Sequence, residues 1–171
     1  PEIHFTSAIP SSSVPISGDP RQLSQVLTNL LQNAVDAIEG REAPSTGGLP
    51  DGAVHLELNA VNSDAVIEVI DNGKGLPTDK RDRLTEPYVT TRTKGTGLGL
   101  AIVKTILEDH DAVLELRDRE DGAAGTSVKV VLPVLAADSR NVQDIDSAAT
   151  EDVPGDAIDE KLVNEGTVHG G

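Results

Sequence analysis

The chain has 171 residues, a formal net charge of −15 and no cysteine. That length carries one domain with a real core and some excess. The missing Cys excludes disulfides, thiolate metal sites and a Cys nucleophile, and the acidic balance argues against nucleic-acid binding. With one Tyr and one Phe, the core must be built from Leu, Ile, Val and Ala. No apolar run approaches a membrane span and no signal peptide is found. A cytoplasmic piece without membrane contact is expected, and the start at Pro1 without Met reads as a cut from something longer.

In chain order, residues 3–17 mix short apolar pieces with Ser and Pro and predict one strand and an extended approach. The first helix is the clearest element. Asp19 suits an N-cap, Pro20 the first helical position, and Gln22 completes an Asp-x-x-Gln capping box. Leu23, Val26, Leu27, Leu30, Leu31, Ala34, Val35 and Ile38 follow at three- and four-residue spacing, a single buried stripe that Gly40 ends. Residues 40–52, rich in Gly and Pro, predict a loop. Val54, Leu56 and Leu58 alternate with His55 and Glu57 as a strand; 65–70 is another, ending at Asp71, with Asp64 in the turn between them. Residues 76–96 show little periodicity beyond a turn of helix around 79–84. A second helix over about 99–111 buries Ile102, Val103, Ile106 and Leu107. Residues 113–117 and 126–132 read as two more strands, the last stopped by Pro133. This order predicts an α/β two-layer sandwich, with helices on one face of a mixed, mainly antiparallel sheet.

The predicted domain is 1–133. Residues 134–171 hold nine acids against two cations and few apolar residues, the composition of a disordered acidic tail. A less favoured reading folds that tail back on basic residues to compete with a ligand, which truncation after Leu135 would test.

Two glycine clusters frame the chemistry. Asp71-Asn72-Gly73-Lys74-Gly75 ends a strand, and Gly95-Thr96-Gly97-Leu98-Gly99-Leu100 opens a helix. Glycine lets backbone come close to a ligand, and a helix start offers N–H groups to an anion. Between 74 and 94 six cations (Lys74, Lys80, Arg81, Arg83, Arg92, Lys94) face three acids, a local reversal of charge in an acidic chain. That combination suits a phosphate, though a plain Gly-rich surface loop has the same letters.

Asn29, Asn33 and Asp36 share one face of the first helix. They are either surface amides or oxygen ligands for a hard cation beside a nucleotide, since magnesium needs few protein ligands. Asp71 is either a turn-forming Asx residue or a pocket carboxylate that accepts from a base amine. His4, His55, His110 and His169 are scattered, without metal pairing or a nucleophile context, and no Ser/His/Asp arrangement is found.

Together these pieces resemble the catalytic ATP-binding domain of sensor histidine kinases, in the wider family of gyrase, Hsp90 and MutL, with its Bergerat-type fold. The stretch 25–37 looks like the asparagine box, 71–75 like the first glycine box and 95–100 like the second. Glu86-Pro87-Tyr88-Val89-Thr90-Thr91-Arg92 is similar to the segment that usually bears Phe, and Gly125-Thr126 to the final Gly-Thr pair. The wording around Tyr88 looks most like NtrY-type nitrogen-regulation sensor kinases.

The resemblance implies that Asn33 binds Mg²⁺ on the ATP phosphates and that Asn29 helps to place them. Asp71 would accept the adenine amine, Gly75 would give the base room, Gly73 would belong to the same binding set, and Thr126 would sit near the base. Residues 76–96 would form a lid with Tyr88, Thr90, Thr91 and Gly95, and with Arg92 and Lys94 as phosphate contacts. The amides from Gly97 through Leu98 and Gly99 to Leu100 would face the phosphates, with Thr96 among the nucleotide-binding residues. Asp36 stands where many such kinases have Lys or Arg, which shifts phosphate neutralisation to Mg²⁺, Arg92 and Lys94.

The implied activity is transfer of the γ-phosphoryl group to a histidine on a separate dimerisation domain of the same parent, and onward to a response regulator receiver domain. The isolated chain is expected to be a monomer. Gyrase-type ATPases carry Glu where Asn29 stands, and an amide cannot act as a general base for water, so hydrolysis is disfavoured. The rival reading is a non-catalytic nucleotide-sensing module.

Overall fold

The computed structural model describes residues 2–43, 45, 47–79, 81–89 and 97–135. Thr90, Thr91, Arg92, Lys94, Gly95, Thr96 and nearly all of the acidic tail lie outside the described residues.

The longest helix, α1 (Pro20–Glu39), begins as its sequence dictates. Asp19 is extended, and its Oδ1 accepts the Arg21 N–H at 2.8 Å. The reciprocal half of the expected capping box is absent, because the Asp19 N–H donates to His110 Nε2 at 3.0 Å. That bond spans 91 positions and satisfies a donor that Gln22 would otherwise serve. Val26, Leu30, Ala34 and Ile38, each four apart, are buried, with Leu23 and Leu31 packed against them. At the far end Gly40 N–H donates to Asp36 O. Arg41 then spreads its guanidinium over three carbonyls: Ile38 at 3.1 Å, Asn72 at 3.4 Å and Pro50 at 2.8 Å. A cation there also complements the negative helix end.

Five strands form one sheet: β1 (Ile3–Ala8), β2 (Gly52–Val61), β3 (Asp64–Asp71), β4 (Val113–Asp118) and β5 (Thr126–Pro133), in the order β1-β2-β3-β5-β4. Every pairing is antiparallel except β1 with β2. Asp64 opens β3 instead of lying in the turn. Asn62 and Ser63 alone make the hairpin, with Asn62 at φ 57°, the left-handed backbone that a two-residue connection needs. The second helix, α2 (Gly99–Glu108), buries Val103, Ile106 and Leu107, and a short 3₁₀ turn occupies Arg81–Arg83.

Strand alternation divides the sheet into two faces. Val54, Leu56 and Leu58 of β2, Ala65, Ile67 and Val69 of β3, and Val128, Val130 and Leu132 of β5 meet the helices in one aliphatic core. The same period of two carries Asp71 onto that inner face at the end of β3, with Thr126 as its cross-strand partner. A carboxylate is thereby delivered to the edge of the core by register alone. Among the described residues no helix is long and apolar enough to cross a membrane.

Candidate functional site

Between α1, α2 and the inner face of the sheet lies a cavity of about 380 Å³, within the range of small-molecule sites. Asp71 and Thr126 line it from the sheet, and Asn29, Asn33 and Asp36 from α1. Gly75 comes from the loop after β3, and Gly97, Leu98, Gly99 and Leu100 from the start of α2. Ten of the expected site residues thus converge on one cavity from segments about a hundred positions apart. Its apolar surface comes from Leu30, Val69, Leu84, Leu116 and Val128, which the sequence reading assigned to the core or left unassigned.

The start of α2 meets the asparagines of α1. A Cβ placed on Gly99 would lie 3.8 Å from Asn33 Oδ1 and 3.9 Å from Asn29 Oδ1. Two amide oxygens and the first turn of α2 therefore face a common space. Leu98 at the cap position has no side chain able to cap the helix. The Asn29 Nδ2 is buried with no hydrogen-bond partner among the described residues. An orphaned buried donor costs about 1–3 kcal/mol, a cost that an acceptor arriving with a ligand removes. Both features fit a polyanion. Among the described residues no three His, Cys, Asp or Glu are gathered for a metal ion. A cation here would rely on an amide oxygen and on its ligand's own oxygens, which suits Mg²⁺.

On the sheet side Asp71 is buried, and its Oδ1 accepts the Gly73 N–H at 2.7 Å. The turn-forming side chain and the pocket carboxylate are therefore one residue. Burial pushes its carboxyl above the ordinary range, while the Gly73 and Thr126 amides and the Arg119 charge pull it back. Asn72 clamps the neighbouring strand, accepting from Ala53 N–H at 2.8 Å and donating to Asp51 O at 2.9 Å. Gly73 is not in the cavity lining. It packs on α1, where a Cβ would come within 2.6 Å of Ala37. The Lys74 N–H donates to Ala37 O at 3.0 Å in the same contact. Gly75 has φ +78°, and the position of a Cβ there would be 3.5 Å from Gly125 O.

Tyr88 is 79% exposed and its ring does not line the cavity. Its main chain adopts φ 65° and donates to Gly97 O at 3.0 Å. Gly97 must lack a Cβ, which would fall 2.7 Å from the Tyr88 carbonyl carbon. Sequence reading missed Arg41, which spans the carbonyls of residues 38, 50 and 72, and Arg119, whose stem packs on Gly125 beside Asp71.

Residues 18–136 match the family described as histidine kinase-, DNA gyrase B- and HSP90-like ATPases. The nitrogen regulation protein NtrY of Azorhizobium caulinodans is 50% identical over 122 residues, 71% of this chain and 15% of that protein. A sensor histidine kinase named NtrY-like, from Rickettsia felis, is 41% identical over 117 residues, 68% of this chain and 18% of its own length. The chain thus spans under a fifth of these relatives. Among solved structures, full-length ShkA in complex with AMPPNP superposes with a TM-score of 0.62 at 28% identity, covering 79% of this chain and 26% of ShkA.

Proposed function

Because the chain belongs to the histidine kinase-, DNA gyrase B- and HSP90-like ATPase family, we propose that it binds Mg-ATP and donates the γ-phosphoryl group to a histidine on a separate dimerisation domain of its parent. The observation that carries this reading is the facing of Asn29 and Asn33 Oδ1 onto Gly99, in the cavity that the buried Asp71 also lines. An anion-binding helix start and a buried carboxylate lining one cavity suit a nucleotide, with phosphates at the first and base at the second.

In this reading Asp71 accepts the exocyclic amine of adenine, and Thr126, beside it in register, borders the base. The aliphatic walls bury the purine faces and exclude water. The first amides of α2 receive the phosphates, and Asn33, with Asn29 beside it, supplies an amide oxygen to Mg²⁺. Bound Mg²⁺ supplies neutralisation of the phosphate charge. Asn29 gives no base for water, so the pocket favours transfer to a strong nucleophile such as imidazole over hydrolysis. Arg92 and Lys94 complete the proposed phosphate contacts. The receiver domain of a response regulator is the proposed downstream partner, and a cytoplasmic placement goes with that role.

Calorimetric titration with ADP and ATP, with and without Mg²⁺, tests the binding. Adding the parent's histidine-bearing domain and measuring acid-labile phosphate tests the transfer. Saturable binding with no phosphohistidine would discard the kinase reading in favour of a nucleotide sensor.

A further inference from the structure

Arg119 opens the turn between β4 and β5, and Asp121 clips its guanidinium: Nε donates to Oδ1 at 3.0 Å and Nη2 pairs with Oδ2. Asp121 also accepts the Ala123 N–H at 3.1 Å, so the turn itself holds the clip. The aliphatic stem of Arg119 lies across Gly125. A Cβ on Gly125 would fall 2.8 Å from Arg119 Cδ and 2.0 Å from the Asp71 carbonyl oxygen. Glycine there lets the arginine rest against the strand end that carries Asp71. Arg119 does not line the 380 Å³ cavity; it belongs to a separate cleft of about 540 Å³ that also borders residues 72–74.

We propose that Arg119 is a positioning residue for nucleobase recognition, acting on Asp71 from behind the pocket wall without touching the nucleotide. The inference rests on the reading of Asp71 as the acceptor of the base amine. A carboxylate removed from water accepts strongly only while ionised, and burial opposes ionisation. The charged groups around it come from three elements. Asp36 of α1, held by Gln32 Nε2 at 2.8 Å, and Lys74 of the loop line the same cavity. Arg119 stands behind, with Asp121 as its own counter-ion. Of the two cations, Arg119 is the one whose field favours the Asp71 carboxylate, a smaller influence than burial or the Gly73 and Thr126 amides. Its side chain is only 23% exposed, so water screens that field less than it would on the open surface.

The test follows the Asp71 carboxyl carbon by NMR across pH in the nucleotide-free chain, wild type beside Arg119→Gln and the charge-conserving Arg119→Lys. The Asp71 titration is expected to move to higher pH in Arg119→Gln and to return toward wild type in Arg119→Lys. ADP affinity is expected to fall at a higher pH in Arg119→Gln, with a loss confined to the acid limb and none well above it. In an Asp71→Asn background Arg119→Gln should leave the pH dependence unchanged. An Asp71 titration indifferent to Arg119→Gln overturns the proposal. So does an equal affinity loss at every pH that lysine does not rescue, the sign of a purely structural part. Should Arg119→Gln fail to fold, Asp121→Asn, which removes the counter-ion, is expected to move the titration to lower pH, and no movement rejects the idea. The carboxyl titration needs no nucleotide. If wild type does not bind ADP, the reading of Asp71 falls, while the action of Arg119 is still decided.

Discussion

Replacing Asp71 by Asn separates the two roles that this side chain combines. As an acceptor for a base amine, the ionised carboxylate makes a charge-assisted bond worth about 1.5–3 kcal/mol, and an amide presenting its NH₂ to the amine loses it. ADP affinity is expected to drop roughly 10- to 100-fold. Stability should go the other way. Burial is the largest influence on Asp71 and holds its folded pKa above the ordinary 3.8. A raised carboxyl contributes stability that is full below the unfolded value and is lost as pH rises through the folded one. At neutral pH the ionised group is therefore a net cost that Asn lacks. The amide keeps the volume and an oxygen for the Gly73 N–H, now met at 2.7 Å. The Tm at about pH 7 should stay level or rise by up to about 2–4 °C. On moving from about pH 4 upward, the stability difference should shift in favour of the variant. Differential scanning calorimetry and ADP titration on the same preparations provide both readouts. A fall of more than about 5 °C in Tm together with lost affinity would refute the reasoning, because it would make the turn the main work of Asp71.

Other substitutions probe the frame. Gly125→Ala places a methyl 2.0 Å from the Asp71 carbonyl at a backbone φ of +132°, and should destabilise by about 3 kcal/mol or more in urea unfolding; a change within about 0.5 kcal/mol contradicts the close approach. Leu30, 1% exposed at the centre of α1, should cost about 2–5 kcal/mol when cut to Ala, seen as a lower urea midpoint at constant slope. Asn33→Ala should lower ADP affinity more with Mg²⁺ than with chelator present. Equal losses in both conditions would remove the cation from its role.

Much of the fold was legible because local rules encode it. The four-residue recurrence from Val26 to Ile38 specified α1 and its buried stripe, alternation around Leu56 specified one strand, and the apolar run up to Asp71 another. Hairpin length misled slightly at Asp64, since one left-handed Asn was enough to turn the chain. The glycines were legible as requirements but not as reasons. Gly75 borders the cavity, whereas Gly73 is small so that its loop can lie on Ala37, and Gly97 so that it can meet Tyr88. Letters alone cannot separate a glycine kept clear for a ligand from one kept clear for a neighbour.

By itself, then, the sequence determined the elements, the aliphatic core, and the polar and glycine-bearing segments on which the proposed chemistry rests. Each of these follows from periodicity or backbone freedom over a few residues. Only the tertiary structure decided the strand order, with β1 parallel at the edge, and the joining of Asp19 to His110 across 91 positions. It alone placed Arg119 behind Asp71, and Asn29 and Asn33 before Gly99. Those are contacts between segments far apart in sequence. They arise when the amphipathic faces of α1, α2 and the sheet are buried together, and no local pattern records which turn will then lie behind which strand.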